Sequence, residues 1–109
     1  MEPYEEMKIS EIREAGRKVC VFGRVIDREG DALIIDDGSG KLQVDLSFLK
    51  NPELLKGLKI GEKVRIFGGV TTRGGEAIVV ADVVQLAMDF DEELWEKIRK
   101  IWAKVRKYV

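Results

Sequence analysis

Leu42, Val44 and Leu46 recur at every second position, with Lys41, Gln43 and Asp45 between them. Successive side chains of a strand point to opposite faces, so this stretch predicts a strand with one core face and one face for solvent or ligand. The same alternation marks "EKVRIFGGV", where Val64 and Ile66 stand against Lys63, Arg65 and Phe67 until the pair Gly68 and Gly69 interrupts it. "RKVCVFGRVIDREG" is rich in Val, Ile and Phe up to Asp27, and its interior Gly23 predicts a bulge or sharp bend. "ALIID" and "AIVVADVVQLA" read as further strands, while "DREGD", "DGSG" and "TTRGGEA" read as the reversals between them.

Two stretches break the strand period before residue 88. "KISEIREAG" places Ile9 and Ile12 three apart and ends at Gly16, which predicts a short helical turn with a left-handed glycine cap. In "FLKNPELLKGLKIGE", Asn51 stands before Pro52 and Glu53 and Gly57 follows, the pattern of a capped helix of about two turns. The order is three strands, a short helix, then two strands as a hairpin. It predicts an all-β, five-stranded Greek-key barrel of the oligonucleotide/oligosaccharide-binding (OB) type, with the helix between strands three and four. An SH3-like barrel or a split sandwich would have no need of a helix at that place.

The remainder, 88–109, changes to a helical period and divides the chain into a barrel, 1–87, and a long C-terminal α-helix. Asp89 and Glu92 have capping spacing, acids crowd the start, and Lys104, Arg106 and Lys107 crowd the end. Phe90, Leu94, Trp95, Ile98, Ile101, Trp102, Val105, Tyr108 and Val109 fall within an arc of roughly 140°, wider than a two-stranded coiled-coil seam. Leu94, Ile98, Ile101, Val105 and Tyr108 form one row, and Trp95, Trp102 and Val109 a second beside it.

Composition narrows the chemistry. The 109 residues contain no histidine and one cysteine, Cys20, set between valines as a buried structural thiol would be. A zinc site or a serine-type triad would need ligands and bases that are absent, and no general acid/base pair stands out, so neither an enzyme nor a cofactor is expected. Asp36 and Asp37 are adjacent, which on a strand sends them to opposite faces, and they lack the spacing of a calcium loop. "GGVTTRGG" lacks the lysine of a phosphate loop. No apolar run reaches the length of a membrane span, and "MEPYEEMK" is acidic where a secretory signal would be basic, so a cytoplasmic chain is expected. Lys and Arg number 19 against 20 Asp and Glu, a net charge of −1 that leaves only local contact with nucleic acid. Such charge density, with little Asn or Gln, is similar to the surfaces of hyperthermophile proteins.

"KVCVFGRVIDREGDALIIDDGSGKLQVDL" and "LKIGEKVRIFGGV" resemble the OB domains of the smaller replication protein A subunits, above all the archaeal ones, and of the related telomere-capping Stn and Ten proteins. The resemblance covers roughly residues 8–87 and rests on "VFGRV" in the first strand, the Asp-Gly pair between strands two and three, and "GEKVRIFG" through strand four. It implies a subunit of a heterotrimeric single-stranded-DNA-binding complex in replication, repair and recombination, associated with the nucleoid. It further implies that the C-terminal helix joins those of two partner subunits in a bundle.

Single-strand binding needs cations along the phosphates and exposed rings for stacking, each stack contributing about 1–3 kcal/mol. The expected platform, strands two and three, is poor in both: the face assigned to Lys41, Gln43 and Asp45 has no ring, and Asp36, Asp37 and Asp45 repel phosphate. The candidate nucleic-acid residues are Arg24, Arg28, Lys41, Arg65, Phe67 and Arg73, scattered over strands one, three and four and two loops. They predict weak, assisting contact within the complex. Leu94, Trp95, Ile98, Ile101, Trp102, Val105 and Tyr108 are the candidate partner interface, and self-association of the isolated chain is the corresponding expectation. The competing reading is a stand-alone OB module for single strands or tRNA, with the helix packed on its own barrel.

Overall fold

The computed structural model of the chain describes residues 4–87, 97 and 99–101. Strand β1 (Glu5–Glu6) is a two-residue edge piece lying parallel to β2 (Lys18–Glu29). The barrel is built from β2, β3 (Ala32–Asp36), β4 (Lys41–Asp45), β5 (Lys63–Arg73) and β6 (Glu76–Leu86). Antiparallel pairing runs β2–β3–β4 and β5–β6, and two long-range ladders close the ring. One is antiparallel β2–β5, from Lys18↔Gly69 to Arg24↔Lys63, and the other is the short parallel β4–β6 pairing at Val44↔Val79 and Asp45↔Val80. This is the predicted OB topology: a strand-one-to-four closure and a parallel strand-three-to-five contact, with a helical segment between strands three and four.

Period two fills the interior. Val19, Val21, Leu33, Ile35, Val44, Val64, Ile66, Val79 and Val84 are fully buried and carry the core. β-branched side chains suit this pleated, enclosed surface, and closure leaves few strand edges exposed.

The β2 bend lies elsewhere than the sequence predicts. Register shifts between Val25 and Asp27, not at Gly23. Gly23 answers a different need: a Cβ there would come 3.2 Å from Ile35 and 3.3 Å from the Asp36 carbonyl oxygen. The bulge reverses which face the following residues present, so Arg28 pairs with the interior position Leu33 and sends its guanidinium to the barrel end. The second break, between Phe67 and Gly68, falls where the glycine pair predicts it. There the β6 backbone comes so close that a Cβ on Gly68 would stand 2.2 Å from the Val80 carbonyl oxygen.

The plug after β4 is a 3-10 helix, Pro52–Gly57, with Leu54 and Leu55 half-buried against the core. Asn51 does not cap it. Its carboxamide donates to the Val84 carbonyl at 2.8 Å and accepts from the Val84 N–H at 3.4 Å, and the Lys50 N–H reaches the Asp82 carbonyl at 2.8 Å. Segment 50–51 thereby takes the place of a strand along β6 where β4 has ended. The Arg28 guanidinium meets the last carbonyls of the plug, donating to Leu55 and Leu58.

"TTRGGEA" is mostly strand rather than loop: pairing continues to Arg73↔Glu76, and Gly74 and Gly75, at φ of 60° and 84°, make a two-residue turn. Both central positions of such a turn require positive φ, which glycine adopts without steric cost. At the N-terminus the helical turn is a 3-10 piece, Ile9–Glu11, shorter than predicted, with Ile9 and Ile12 buried.

Candidate nucleic-acid interface and assembly surface

The outward side chains of the barrel form cross-strand rows. One row runs Arg24, Asp36, Lys41 across β2, β3 and β4, alternating in charge. On the adjoining β2–β5–β6 face, Phe22, Arg65 and Gln85 form a second row, and Cys20, Phe67 and Val83 a third. The six candidate nucleic-acid residues are thus divided among places. Arg24 and Lys41 share the first row, Arg65 and Phe67 stand on β5, Arg28 faces the plug, and Arg73 stands at the β5–β6 hairpin.

Several of these cations have partners within the chain. The Arg24 guanidinium donates to the Gly61 carbonyl at 2.8 Å, which ties β2 to the turn before β5. Arg28 holds the plug carbonyls, and the Arg73 guanidinium lies 2.7 Å from Asp45 Oδ2. Phe67 is half-buried, and Tyr4 meets its ring edge-on with centroids 5.4 Å apart. Lys18 Nζ lies 5.7 Å from the centre of the Tyr4 ring, whose hydroxyl donates to Asp82 at 2.9 Å. That hydrogen bond raises the Tyr4 pKa, with burial and the Asp82 charge adding to it.

Phe22, Lys18 and Tyr4 were absent from the sequence-based candidates. Period two from Arg24 places Phe22 and Lys18 on one face with it, so that signal was available. No spacing rule brings Tyr4 to Asp82, 78 residues away.

Asp45 departs from its predicted exposure. Its side chain is on the outer side of β4, since Val44 and Leu46 are interior, yet Asp45 is buried at 7% exposure. Its carboxylate accepts from the Ser47 hydroxyl at 2.6 Å, the Ser47 N–H at 2.9 Å and Arg73. The Ser47 hydroxyl and N–H, with Arg73, hold its pKa below the ordinary carboxylate value against the opposing effect of burial. For Asp37 burial acts upward, but hydrogen bonds from Ile9, from Ser39 through both hydroxyl and N–H, and from Gly40 outweigh it, and the pKa falls. Asp36 accepts from the Gly38 N–H. The acids of "DDGSG" therefore serve the turn and fasten the N-terminal arm to it. Among the described residues no three acidic or Cys side chains gather as a metal would need.

Lys97, Arg99, Lys100 and Ile101 have helical backbone. Arg99 pairs with Glu6 of β1, and a cleft of about 310 Å³ opens between Glu6, Lys8, Phe22, Asp37 and Arg99. Ile101 is 59% exposed. The rest of the candidate interface, Leu94, Trp95, Ile98, Trp102, Val105 and Tyr108, and the remainder of the predicted helix lie outside the described residues.

The sequence matches no protein-family model and no curated protein. The barrel does match solved structures. The telomere capping protein Ten1 from Saccharomyces pombe superposes with a TM-score of 0.71 at 20% identity, covering 94% of this chain and 96% of that one. The S. pombe Stn1–Ten1 complex gives a TM-score of 0.68 at 20% identity, over 97% of this chain and 94% of the other. A replication protein A heterotrimer bound to ssDNA gives 0.62 at 13% identity, over 90% and 78%. At these identities the likeness is one of fold. Among the described residues, no helix is long and apolar enough to cross a membrane.

Proposed function

We propose that this chain is the small, mainly structural subunit of a heterotrimeric single-stranded-DNA-binding complex of the replication protein A type. It assembles through residues 88–109 and contributes at most weak contact to DNA. The supporting observation is the contrast between Arg99 and Ile101. Two residues apart on helical backbone, they stand roughly 200° apart around the axis. Arg99 meets the barrel at Glu6, while Ile101 is 59% exposed. Arg99 thus faces its own domain, while Ile101, on the other side of the axis, is an exposed apolar side chain. On the predicted helical register Leu94, Ile98, Val105 and Tyr108 share the Ile101 side, which is the row assigned to a partner. The fold matches add that such barrels occur in assemblies: in a Stn1–Ten1 complex and in a replication protein A heterotrimer bound to ssDNA.

The weak-contact half of the proposal rests on the cations. Arg24, Arg28 and Arg73 hold internal acceptors, and the β3–β4 outer face, with Ile34, Asp36, Lys41 and Gln43, bears no ring. Fluorescence anisotropy with a poly-dT oligomer tests it on the full chain. Weak, salt-sensitive binding is expected, and submicromolar binding by the isolated chain would contradict the assignment.

The Arg99–Glu6 pair also favours the second reading, a stand-alone OB module for single strands or tRNA whose helix belongs to its own barrel. That reading predicts a monomer at every concentration.

A further inference from the structure

We propose that the Asp45–Arg73 pair is a self-inhibitory latch, in which Asp45 withholds Arg73 from phosphate and so limits how tightly the barrel holds a single strand. This inference rests on the proposed reading, in that it concerns the barrel's own contact with single strands.

Arg73 is the last residue of β5 and Asp45 the last of β4, so their contact ties the hairpin tip to the strand that carries Lys41 and Gln43. The two ends differ in environment: the Arg73 side chain is 54% exposed, the Asp45 side chain 9%. Asp45 Oδ1 accepts both donors of Ser47, while Oδ2 accepts Arg73 Nη2. Ser47 thus satisfies one carboxylate oxygen and Arg73 the other. A phosphate that draws Arg73 away leaves a buried, charged oxygen without its partner, and an unpaired buried charge is costly. Even with the pair intact, Asp45 cancels the charge that Arg73 would present to a strand lying across β4. The latch acts on a single side chain, so removing the Asp45 charge frees one cation and leaves the interior of the barrel unchanged.

Anisotropy of a labelled poly-dT oligomer with the full chain, measured across a salt series, tests this. Asp45→Asn keeps an oxygen for Ser47 and removes the charge that holds Arg73. It is expected to bind roughly threefold tighter or more at low salt, with a log–log salt slope steeper by about 0.7, the value for one further phosphate on a single strand. Adding Arg73→Gln to Asp45→Asn is expected to remove the gain and return the slope. In the unmodified chain, a nuclear magnetic resonance titration with poly-dT is expected to move the Lys41 amide while the Arg73 side-chain resonance stays in place. Simultaneous movement of the two overturns the latch without any variant needing to fold. If the unmodified chain binds and Asp45→Asn, folded by circular dichroism, binds with the same slope, the latch fails and the proposed function stands. If neither chain binds at the lowest salt, both the latch and the DNA contact of the proposed function fail, leaving the assembly role to its own test.

Discussion

Asn51 pairs its side chain with both backbone groups of Val84, donating to the carbonyl at 2.8 Å and accepting from the N–H at 3.4 Å. β4 pairs with β6 at Val79 and Val80, which leaves the Val84 backbone beyond the reach of that ladder. A carboxamide has the donor and acceptor of a peptide group, so Asn51 completes the edge with its side chain where a strand would use its backbone.

The first prediction concerns that substitution for a strand. Asn51→Ala leaves two backbone groups of a buried residue unpaired and is expected to cost about 1–3 kcal/mol, read as a lower urea midpoint. Asn51→Asp keeps an acceptor for the Val84 N–H but sets an oxygen against the Val84 carbonyl, and is expected to be no better than alanine. A loss below about 0.5 kcal/mol in both variants would show that water replaces the side chain there.

The second compares adjacent glycines. At Gly68 a Cβ would stand 2.2 Å from the Val80 carbonyl oxygen and 2.9 Å from the Ala81 Cα, both backbone atoms, whereas at Gly69 nothing lies within 4 Å. Gly68→Ala is expected to destabilise by about 3 kcal/mol or more, the upper end for overpacking, or to prevent folding. Gly69→Ala is expected to change stability by under about 1 kcal/mol. Equal effects in thermal melts would mean that the bulge shifts to make room.

The pattern of what was legible in the sequence follows from range. The alternation at Leu42, Val44 and Leu46 is local and predicts its face correctly, and the glycine pair marks the bulge at Phe67 and Gly68. The spacing of strands and plug predicts the topology, because few connections satisfy it. Asp45 was misassigned to solvent because one of the groups that holds its carboxylate, Arg73, lies 28 residues away, which no periodicity reports. Asn51 was misread for a related reason: its place before Pro52 is a good local cap, but the unpaired edge of β6 is a stronger claim on the same carboxamide. The β2 bulge falls at a residue with no special backbone freedom, Ile26, so composition could not locate it.

The third prediction follows from the lowered pKa values of Asp37 and Asp45. A carboxyl whose folded pKa lies below its unfolded one stabilises the fold above the unfolded value and loses that contribution as the pH falls through the folded value. Stability is therefore expected to be level near neutrality and to drop once the pH passes below the ordinary 3.8 of an aspartate. Asp37→Asn should lower the level part of the curve and make the acid fall shallower. A midpoint that rises on acidification to pH 3.8 and below would reverse the sign of the assignment.

Assembly through the C-terminal residues is the central claim, and light scattering on the purified full chain tests it most directly. In the absence of partners, the mass is expected to rise above the monomer's 12.4 kDa with concentration. Ile101→Asp, on the side of the helix opposite Arg99, is expected to stay at the monomer mass with the barrel still folded by circular dichroism. An unmodified chain that remains at 12.4 kDa at every concentration would contradict the account and favour a helix that serves its own barrel.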